Sequence, residues 1–189
     1  MSKDNGRIIY LKGDRVSLGI LTPDDAEILC HFLNNEEMRE FLSNYLPIYP
    51  AGEKKWLEEL PDRAPHDFVF GIIRNEDGAL VGNIGLHRVE PKDRRAIIGI
   101  FIGDSSNRGH GYGQEAGELL KRFAFDTLNL RKLRYEVYAH NERSLKLAAN
   151  LGAIEEGRLV EEHYANGRYA DTLILAIFRP EEGPQPLST

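Results

Sequence analysis

Apolar and polar residues follow two periods along this chain, and each period predicts a different kind of element. Segments in which apolar residues alternate with polar ones or run together, bounded by turn residues, predict β-strands. These strands are predicted at residues 15–21, 67–74, 79–90, 94–102, 133–139, 153–164 and 169–178. Two connections carry turn sequences, at 75–78 and at Asn166-Gly167, and an Asn-Gly pair is a strong hairpin signal.

Helical spacing appears between these strands. Apolar residues recur at positions 26, 29, 30 and 33, after a Thr22-Pro23 pair that is typical of a helix start. Further helices are predicted over about 52–60, from the end of a glycine-rich segment to about 128, and over 142–150. Residues 180–189 are rich in proline and polar residues, and we expect them to be disordered.

Composition narrows the class of protein. The chain has 189 residues, of which 41% are hydrophobic, and this is enough for one sizeable core. A net charge of −6 and the lack of a basic run argue against nucleic acid as a partner, whereas an acidic surface suits amines. Cys30 is the single cysteine, so we expect no intramolecular disulfide and a cytoplasmic location. No apolar run is long enough for a membrane span, and no signal-like segment is present.

The most informative segment is the glycine-rich loop Arg108-Gly-His-Gly-Tyr-Gly113, between a predicted strand and a predicted helix. Gly109, Gly111 and Gly113 have no Cβ to hinder positive φ angles or a close ligand, so successive backbone N–H groups can converge. These donors lie where a helix N-terminus is electropositive, and Arg108 adds a charged donor. The loop therefore predicts an anion site, best suited to a pyrophosphate.

Two common nucleotide-binding motifs fit this loop poorly. A P-loop ends in Gly-Lys-Ser/Thr, whereas this loop continues as Gly113-Gln114-Glu115. A dinucleotide-binding loop has the spacing GxGxxG and an acidic residue about 20 positions later. Here the spacing is GxGxG, and the later region, 131–134, is basic. A glycine-rich turn without a ligand is the remaining structural alternative.

The loop resembles the acetyl-CoA pyrophosphate loop, R/Q-x-x-G-x-G/A, of the GNAT N-acetyltransferase superfamily. A second segment, 141–157, is similar to that family's N-x-x-S/A-x-x-L segment and to the x-G-F-x-x-E-G sequence that follows it. Residues 15–26 resemble the start of the branch that acetylates the N-termini of ribosomal proteins, the RimJ/RimL-like branch. The similarity runs in order over about 7–179 and implies one N-acetyltransferase domain with these bounds.

The resemblance implies a fold and a cosubstrate. The fold is α/β (α+β), a single GNAT-like domain with a mixed, mostly antiparallel sheet of six or seven strands and about four helices. Backbone N–H groups near Phe101 and Ile102 are expected to hold the thioester carbonyl oxygen, with pantetheine in a gap beside that strand. Acetyl-CoA is the implied cosubstrate, held by the loop residues Arg108, Gly109, His110, Gly111, Tyr112 and Gly113.

Asn141 and Ser144 lie one helical turn apart and face the same side of a predicted helix. The resemblance implies that Asn141 bonds pantetheine and that Ser144 lies near the sulfur as the general acid. Asn is also a favoured helix cap, so Asn141 can have both roles. An ordinary exposed serine is the alternative for Ser144.

The general base is the least determined part of the site. Many relatives carry Glu at the position of Ile97 and Tyr at that of Ala148, and neither group is available here. The remaining candidates, with water as a further carrier, are His87, Glu162, His163 and Tyr164. Histidine titrates near ~6.5, and His163 aligns roughly with a carboxylate proposed as catalytic in the RimJ/RimL-like branch, so His163 is the predicted base.

The predicted function is acetyl-CoA-dependent N-acetylation of a primary amine, by direct attack in a ternary complex. The amine belongs to a protein N-terminus or a small molecule, and polyamines, amino sugars and antibiotics remain alternatives. A non-catalytic acyl-CoA sensor is the rival hypothesis, supported by the two missing catalytic side chains. We expect no metal, because the six histidines and the single cysteine show no ligand spacing, and a homodimer is compatible with this interpretation.

Overall fold

A computed structural model describes residues 6–180 and 183 of the chain. Its strands are β1 (Ile9–Leu11), β2 (Val16–Ile20), β3 (Phe68–Arg74), β4 (Leu80–Glu90), β5 (Arg95–Ile102), β6 (Lys132–Tyr138), β7 (Ile154–Ala165) and β8 (Arg168–Phe178). Its α-helices are α1 (Ala26–Leu33), α2 (Glu36–Arg39), α3 (Pro50–Glu58), α4 (Tyr112–Arg122) and α5 (Glu142–Asn150). A π-helical turn, Phe123–Thr127, continues α4.

The described strands form one sheet of eight, in the spatial order β1-β2-β3-β4-β5-β6-β8-β7. All neighbours are antiparallel except β5 and β6, which are parallel, so the predicted mixed, mostly antiparallel sheet is confirmed. The predicted count of six or seven strands was one too low, because β1 has only three residues and pairs irregularly with β2. The short α2 likewise lies in a stretch that the sequence pattern left without an element.

Helices cover both faces of this sheet, and each layer has its own apolar cluster. On one face, α1 and α3 pack through Leu29, Phe32 and Leu57. On the other, α4 packs through Leu120 and Phe123, and α5 lies beside it. Since each large apolar side chain stabilises the fold by about 1.5–3 kcal/mol when fully buried, these clusters fix both helix layers against the strands.

Both predicted hairpin turns are confirmed. Between β3 and β4, the Gly78 N–H donates to the Arg74 carbonyl over 2.8 Å, and Gly78 has a φ of +73°. Between β7 and β8, Asn166 and Gly167 have φ angles of +51° and +79°, as a type I′ turn requires. These local turns fix the register of four of the strands.

The sheet begins at Ile9 and ends at Phe178, inside the predicted domain bounds of 7–179. Apart from Pro180 and Gly183, the tail that we expect to be disordered lies outside the described residues. No helix in the described ranges is long and apolar enough to cross a membrane.

Candidate active site

The site begins where the two parallel strands separate. Strands β5 and β6 pair only at Arg95–Lys132, Ala96–Leu133 and Ile97–Arg134. Beyond Ile97 both strands continue without further pairing to each other, β5 as far as Ile102 and β6 as far as Tyr138. A V-shaped gap therefore opens in the middle of the sheet, as the resemblance implied.

A cavity of about 1080 Å³ occupies this gap and extends to the glycine-rich loop. Almost all predicted site residues line it, from Phe101 and Ile102 of β5 to Asn141 and Ser144 of α5 and His163 of β7. His110 is the exception, because its ring stacks on Tyr112 at a centroid distance of 5.5 Å and its Nε2 lies 3.0 Å from the Ser106 carbonyl. The structure thus brings together residues that are up to 62 positions apart in the sequence, Phe101 and His163.

The backbone of the glycine loop has the geometry that the sequence predicts. Gly109 and Gly111 have φ angles of +82° and +77°, and Gly111 is the N-cap of α4. The loop is held from outside by Arg15, whose Nη1 donates to the His110 carbonyl over 3.1 Å and whose Nε pairs with Glu115 over 3.1 Å. Left-handed glycines before a helix N-terminus form a cradle of N–H donors, so this loop fits a pyrophosphate.

Arg108 takes a different position from the one expected at the mouth of the loop. Its guanidinium turns toward α2, where it pairs with Glu37 over 3.3 Å and donates to the Met38 Sδ and to the Gly103 carbonyl. Its side chain is only 16% exposed. The predicted contact of Arg108 with the pyrophosphate stays a prediction, and in the structure this residue joins the loop to α2. The cationic side chains that line the cavity from α5 are Arg143 and Lys146.

The backbone donors expected near Phe101 and Ile102 can be assigned by strand alternation. The Gly103 N–H donates to the carbonyl of Val81 in β4, and alternate residues of a strand share the direction of their N–H groups. The Phe101 N–H therefore faces β4, whereas the N–H groups of Ile98, Ile100 and Ile102 face the gap. The oxyanion roles expected of Phe101 and Ile102 stay predictions, and of the two the Ile102 N–H has the direction that this role needs.

Ser144 has a partner that the sequence analysis did not find. Its Oγ lies 2.7 Å from the hydroxyl of Tyr135, which projects from β6 and is 5% exposed. Burial raises the pKa of Tyr135, and the bond to Ser144 opposes this shift, so the phenol stays protonated at neutral pH. Asn141 caps α5, as predicted, by accepting from the Ser144 N–H over 3.1 Å. The period-two pattern of Leu133, Tyr135 and Val137 was the available signal for an inward-facing Tyr135.

His163 lies against β6, on the other side of the gap from β4 and β5. Its ring stacks on Tyr138 at a centroid distance of 3.6 Å, and its Nε2 is buried without a hydrogen-bond partner in the described residues. Burial lowers the pKa of His163, the nearby His140 lowers it further, and the Glu40 backbone has the opposite effect. A neutral imidazole at pH 7 can accept a proton, so the geometry is compatible with the predicted role of base.

Two acidic side chains in and just after α2 are paired with basic side chains. Glu37 pairs with Arg108, and Glu40 lies 3.9 Å from both His140 and Arg168. The acidic side chains that line the cavity itself are Glu136 of β6 and Glu162 of β7. Among the described residues, no group of three or more His, Cys, Asp or Glu side chains has a metal-binding arrangement.

Comparison with known proteins agrees with this fold. Residues 15–154 match the family model described as the acetyltransferase (GNAT) domain. The chain is 30% identical over 174 residues to the uncharacterised N-acetyltransferase YoaA of Bacillus subtilis (strain 168), covering 91% of this chain and 98% of that relative.

Two solved structures share the fold. A spermidine N-acetyltransferase from Vibrio cholerae, in complex with CoA and spermine, has a TM-score of 0.81 at 23% identity, covering 90% of this chain and 99% of that one. A ribosomal-protein-S5-alanine acetyltransferase from Vibrio fischeri has a TM-score of 0.80 at 19% identity, covering 92% and 98%.

The fold and the family model define an acyltransferase. The chain belongs to the GNAT acetyltransferase family, which confirms the resemblance found in its motifs. It is an acetyl-CoA-dependent N-acetyltransferase of amines. The rival hypothesis of a non-catalytic sensor loses its support, because the curated relatives are named N-acetyltransferases.

Proposed function

We propose that this enzyme acetylates a positively charged primary amine that enters the gap from the side of α2, whose Met38 lines the cavity. Two surfaces of the cavity are defined for this purpose. The cofactor face comprises the loop 109–113 with Arg143, Ser144 and Lys146, and the acceptor face comprises His87, Glu136, Glu162 and His163, with Asp67 in contact with His87.

The separation of charge between these faces is the observation that carries the proposal. Arg143 and Lys146 line the cavity on the cofactor face, beside the N-terminus of α4. Glu136 and Glu162 line it on the acceptor face. Because opposite charges attract over several ångströms in a partly enclosed site, an anionic cosubstrate and a cationic acceptor are drawn to different sides of the same gap.

Each part of the chain then has a distinct task. Acetyl-CoA supplies the activated acetyl thioester. The loop N–H groups hold the pyrophosphate, and the Ile102 N–H faces the gap where a carbonyl oxygen needs a donor. The Ser144 hydroxyl gives its proton to the departing thiolate and is held for this purpose by Tyr135 and by the start of α5.

The type of acceptor amine is suggested by the names of two relatives. Relatives named spermidine N(1)-acetyltransferase and putative ribosomal N-acetyltransferase represent the two acceptor types, a polyamine and a protein N-terminus. Both acceptors carry the ammonium group that the acidic acceptor face favours. The cytoplasmic location, the homodimer and the role of His163 as base stay predictions.

The proposal is tested by turnover with a panel of amines, followed as CoA release and confirmed by the mass of the product. The panel contains a polyamine, a diamine, a monoamine of the same length and short peptides with a free N-terminus. We expect transfer to at least one of them, and a glutamine substitution of both Glu136 and Glu162 to raise the KM of that amine about tenfold. Glu155→Gln, on an exposed part of β7, is the matched control. The absence of acetylated product with every amine would contradict the proposal.

A further inference from the structure

A bulge in β4 lies directly beside the gap. The pairing of β4 with β5 is regular as far as His87–Ile97 and then shifts before Glu90–Arg95. Within this bulge Arg88 has a φ of +49°, in the left-handed region that residues other than glycine rarely adopt. Bulges of this kind turn a side chain away from its regular direction and are frequent next to active sites.

The side chain at this bulge lies at the point where the sheet divides. His87 is paired with Ile97, the last residue of β5 that also pairs with β6. Its Nε2 lies over two glycines of the paired strands, since a Cβ at Gly85 or Gly99 would come within 3.2 or 3.1 Å of that atom. The imidazole therefore lies across β4 and β5 at the base of the gap, and it lines the cavity.

Asp67 holds this imidazole from the other end. Its Oδ1 lies 3.5 Å from the His87 Nδ1 and accepts the Arg88 N–H over 3.1 Å. The residue with the unusual φ thus anchors the carboxylate that faces the imidazole. A carboxylate at Nδ1 orients a histidine ring, which leaves Nε2 as the atom that exchanges a proton.

We infer that His87 is the proton acceptor of the reaction, through its Nε2, and that Asp67 is its positioning residue. The inference rests on the proposed function. One proton of the acceptor ammonium passes to Nε2 and then to solvent, which frees the nitrogen lone pair. The N–C bond forms and the C–S bond breaks, the Ser144 hydroxyl protonates the departing thiolate, and the second proton of the nitrogen passes through water to Ser144 and restores its hydroxyl. The products are the amide and CoA.

His163, the base predicted from the sequence, has a less suitable environment. The described contacts of its ring are the stacking on Tyr138 and the Glu40 backbone, whereas the His87 ring faces a carboxylate. It also lies on β7, which is separated from the gap by β6 and β8, whereas His87 lies at the vertex. We therefore assign the proton transfer to His87, and His163 stays the alternative base.

The groups that share the cavity with His87 set the pH dependence to be measured. Asp67, before β3, is the charged group in contact with the imidazole. On β5, the adjacent positions are Ile97 and Gly99, which do not titrate. The titratable groups that line the cavity from β6 and β7 are Tyr135, Glu136, Tyr138, Glu162 and His163.

The test is the pH profile of kcat/KM for His87→Gln, measured with the best amine of the panel. We expect a drop of about 10²-fold and the loss of the ionisation on the acid side of the profile. Asp67→Asn is expected to lower kcat about tenfold with little change in the KM for the amine, because the imidazole loses the carboxylate that orients it. The double variant should be no slower than His87→Gln alone, since Asp67 acts through His87.

Two controls separate this inference from misfolding and from the proposed function. His66→Gln changes a neighbouring histidine outside the cavity lining and should keep the wild-type profile. Acetyl-CoA affinity, measured by calorimetry, should be unchanged in His87→Gln, and imidazole in solution should partly restore the rate of His87→Ala. If the wild-type enzyme acetylates amines but His87→Gln keeps its rate and profile, the inference is wrong. A lost ionisation in His163→Gln alone would give the role to His163.

Discussion

The two faces of the cavity are built in different ways. The cofactor face is largely contiguous in sequence, because the loop and the start of α4 lie within 108–113, and α5 supplies Ser144 with its own N-cap Asn141. The acceptor face is assembled from the segments before β3, within β4, within β6 and within β7, and its side chains meet only when the sheet has formed.

This difference explains what each face tolerates. The function of the cofactor face depends on backbone N–H groups and φ angles, so it is sensitive to the addition of a Cβ. The acceptor face depends on side chains whose positions are set by strand register and by a bulge, so it is sensitive to the identity of single polar groups. Substitutions on the cofactor face should therefore change the affinity for acetyl-CoA, and substitutions on the acceptor face should change the KM for the amine or the rate.

The largest expected effect is a loss of kcat at Ser144, and it is an exception to the expectation that the cofactor face controls affinity. It lies on the cofactor face, yet its hydroxyl acts only when the thiolate leaves. Ser144→Ala should lower kcat by about 10²-fold with little change in the KM for acetyl-CoA. Tyr135→Phe keeps the serine and removes its partner, and it should cost about tenfold in kcat. A normal kcat in Ser144→Ala would show that the thiolate takes its proton from elsewhere.

The loop glycines give the next largest effect, on affinity. Gly111 has a φ of +77°, and a Cβ there would lie 2.7 Å from the Arg15 Nη1, so Gly111→Val should weaken acetyl-CoA binding about tenfold or more. Gly167→Val is the matched control, since Gly167 has a φ of +79° but open space in a distant hairpin. Calorimetry measures both, and equal affinities for wild type and a folded Gly111→Val would contradict the pyrophosphate assignment.

A substitution at Gly113 distinguishes the effect of a Cβ on ligand binding from the effect of backbone strain. A Cβ here meets Leu147 at 3.5 Å, an ordinary contact, and Gly113 lies inside the first turn of α4. Gly113→Ala should therefore stabilise the fold by about 0.5–1 kcal/mol through helix propensity while it weakens acetyl-CoA binding about fivefold. A thermal melt and a titration on the same sample measure the two effects. A gain in both stability and affinity would remove Gly113 from the cofactor face.

The smallest expected effect is a change in stability, and it concerns Glu53 of α3. Glu53 is 8% exposed, and burial raises the pKa of its carboxyl above the ordinary value of 4.5. The folded protein thus holds this proton more readily than the unfolded chain, so stability is lost as the pH rises from 4.5 through the raised pKa. Glu53→Gln should raise the Tm at pH 7 by about 2 °C and have little effect near pH 4. Exposed Glu58→Gln on the same helix should change neither value.

The sequence predicts the cofactor face better than the acceptor face, because the cofactor face is formed mainly by residues that are neighbours in the sequence. The glycine loop, the Asn141 cap and the Asn166-Gly167 turn are decided by neighbouring residues, and the structure confirms their local geometry. The gap between β5 and β6 was expected only through the family resemblance, because parallel pairing that stops after three residues leaves no local pattern.

Long-range contacts account for the residues that the sequence left undecided or missed. The pairing of Tyr135 with Ser144 joins a strand to a helix, and the contact of His87 with Asp67 joins β4 to the segment before β3. The turn of Arg108 toward α2 depends on a short helix that the apolar pattern does not predict. In each case the sequence gives the type of side chain, but its contact partner is determined by strand register and helix docking.

The most direct test of the account is the affinity of an analogue in which CoA and the best amine of the panel are joined through the acetyl position. If the cofactor face and the acceptor face meet at the gap, the analogue should bind about 10²-fold more tightly than CoA. Gly111→Val and the variant with glutamine at both Glu136 and Glu162 should each weaken it, measured by calorimetry. An analogue that binds no more tightly than CoA, in a protein that binds CoA normally, would contradict the account.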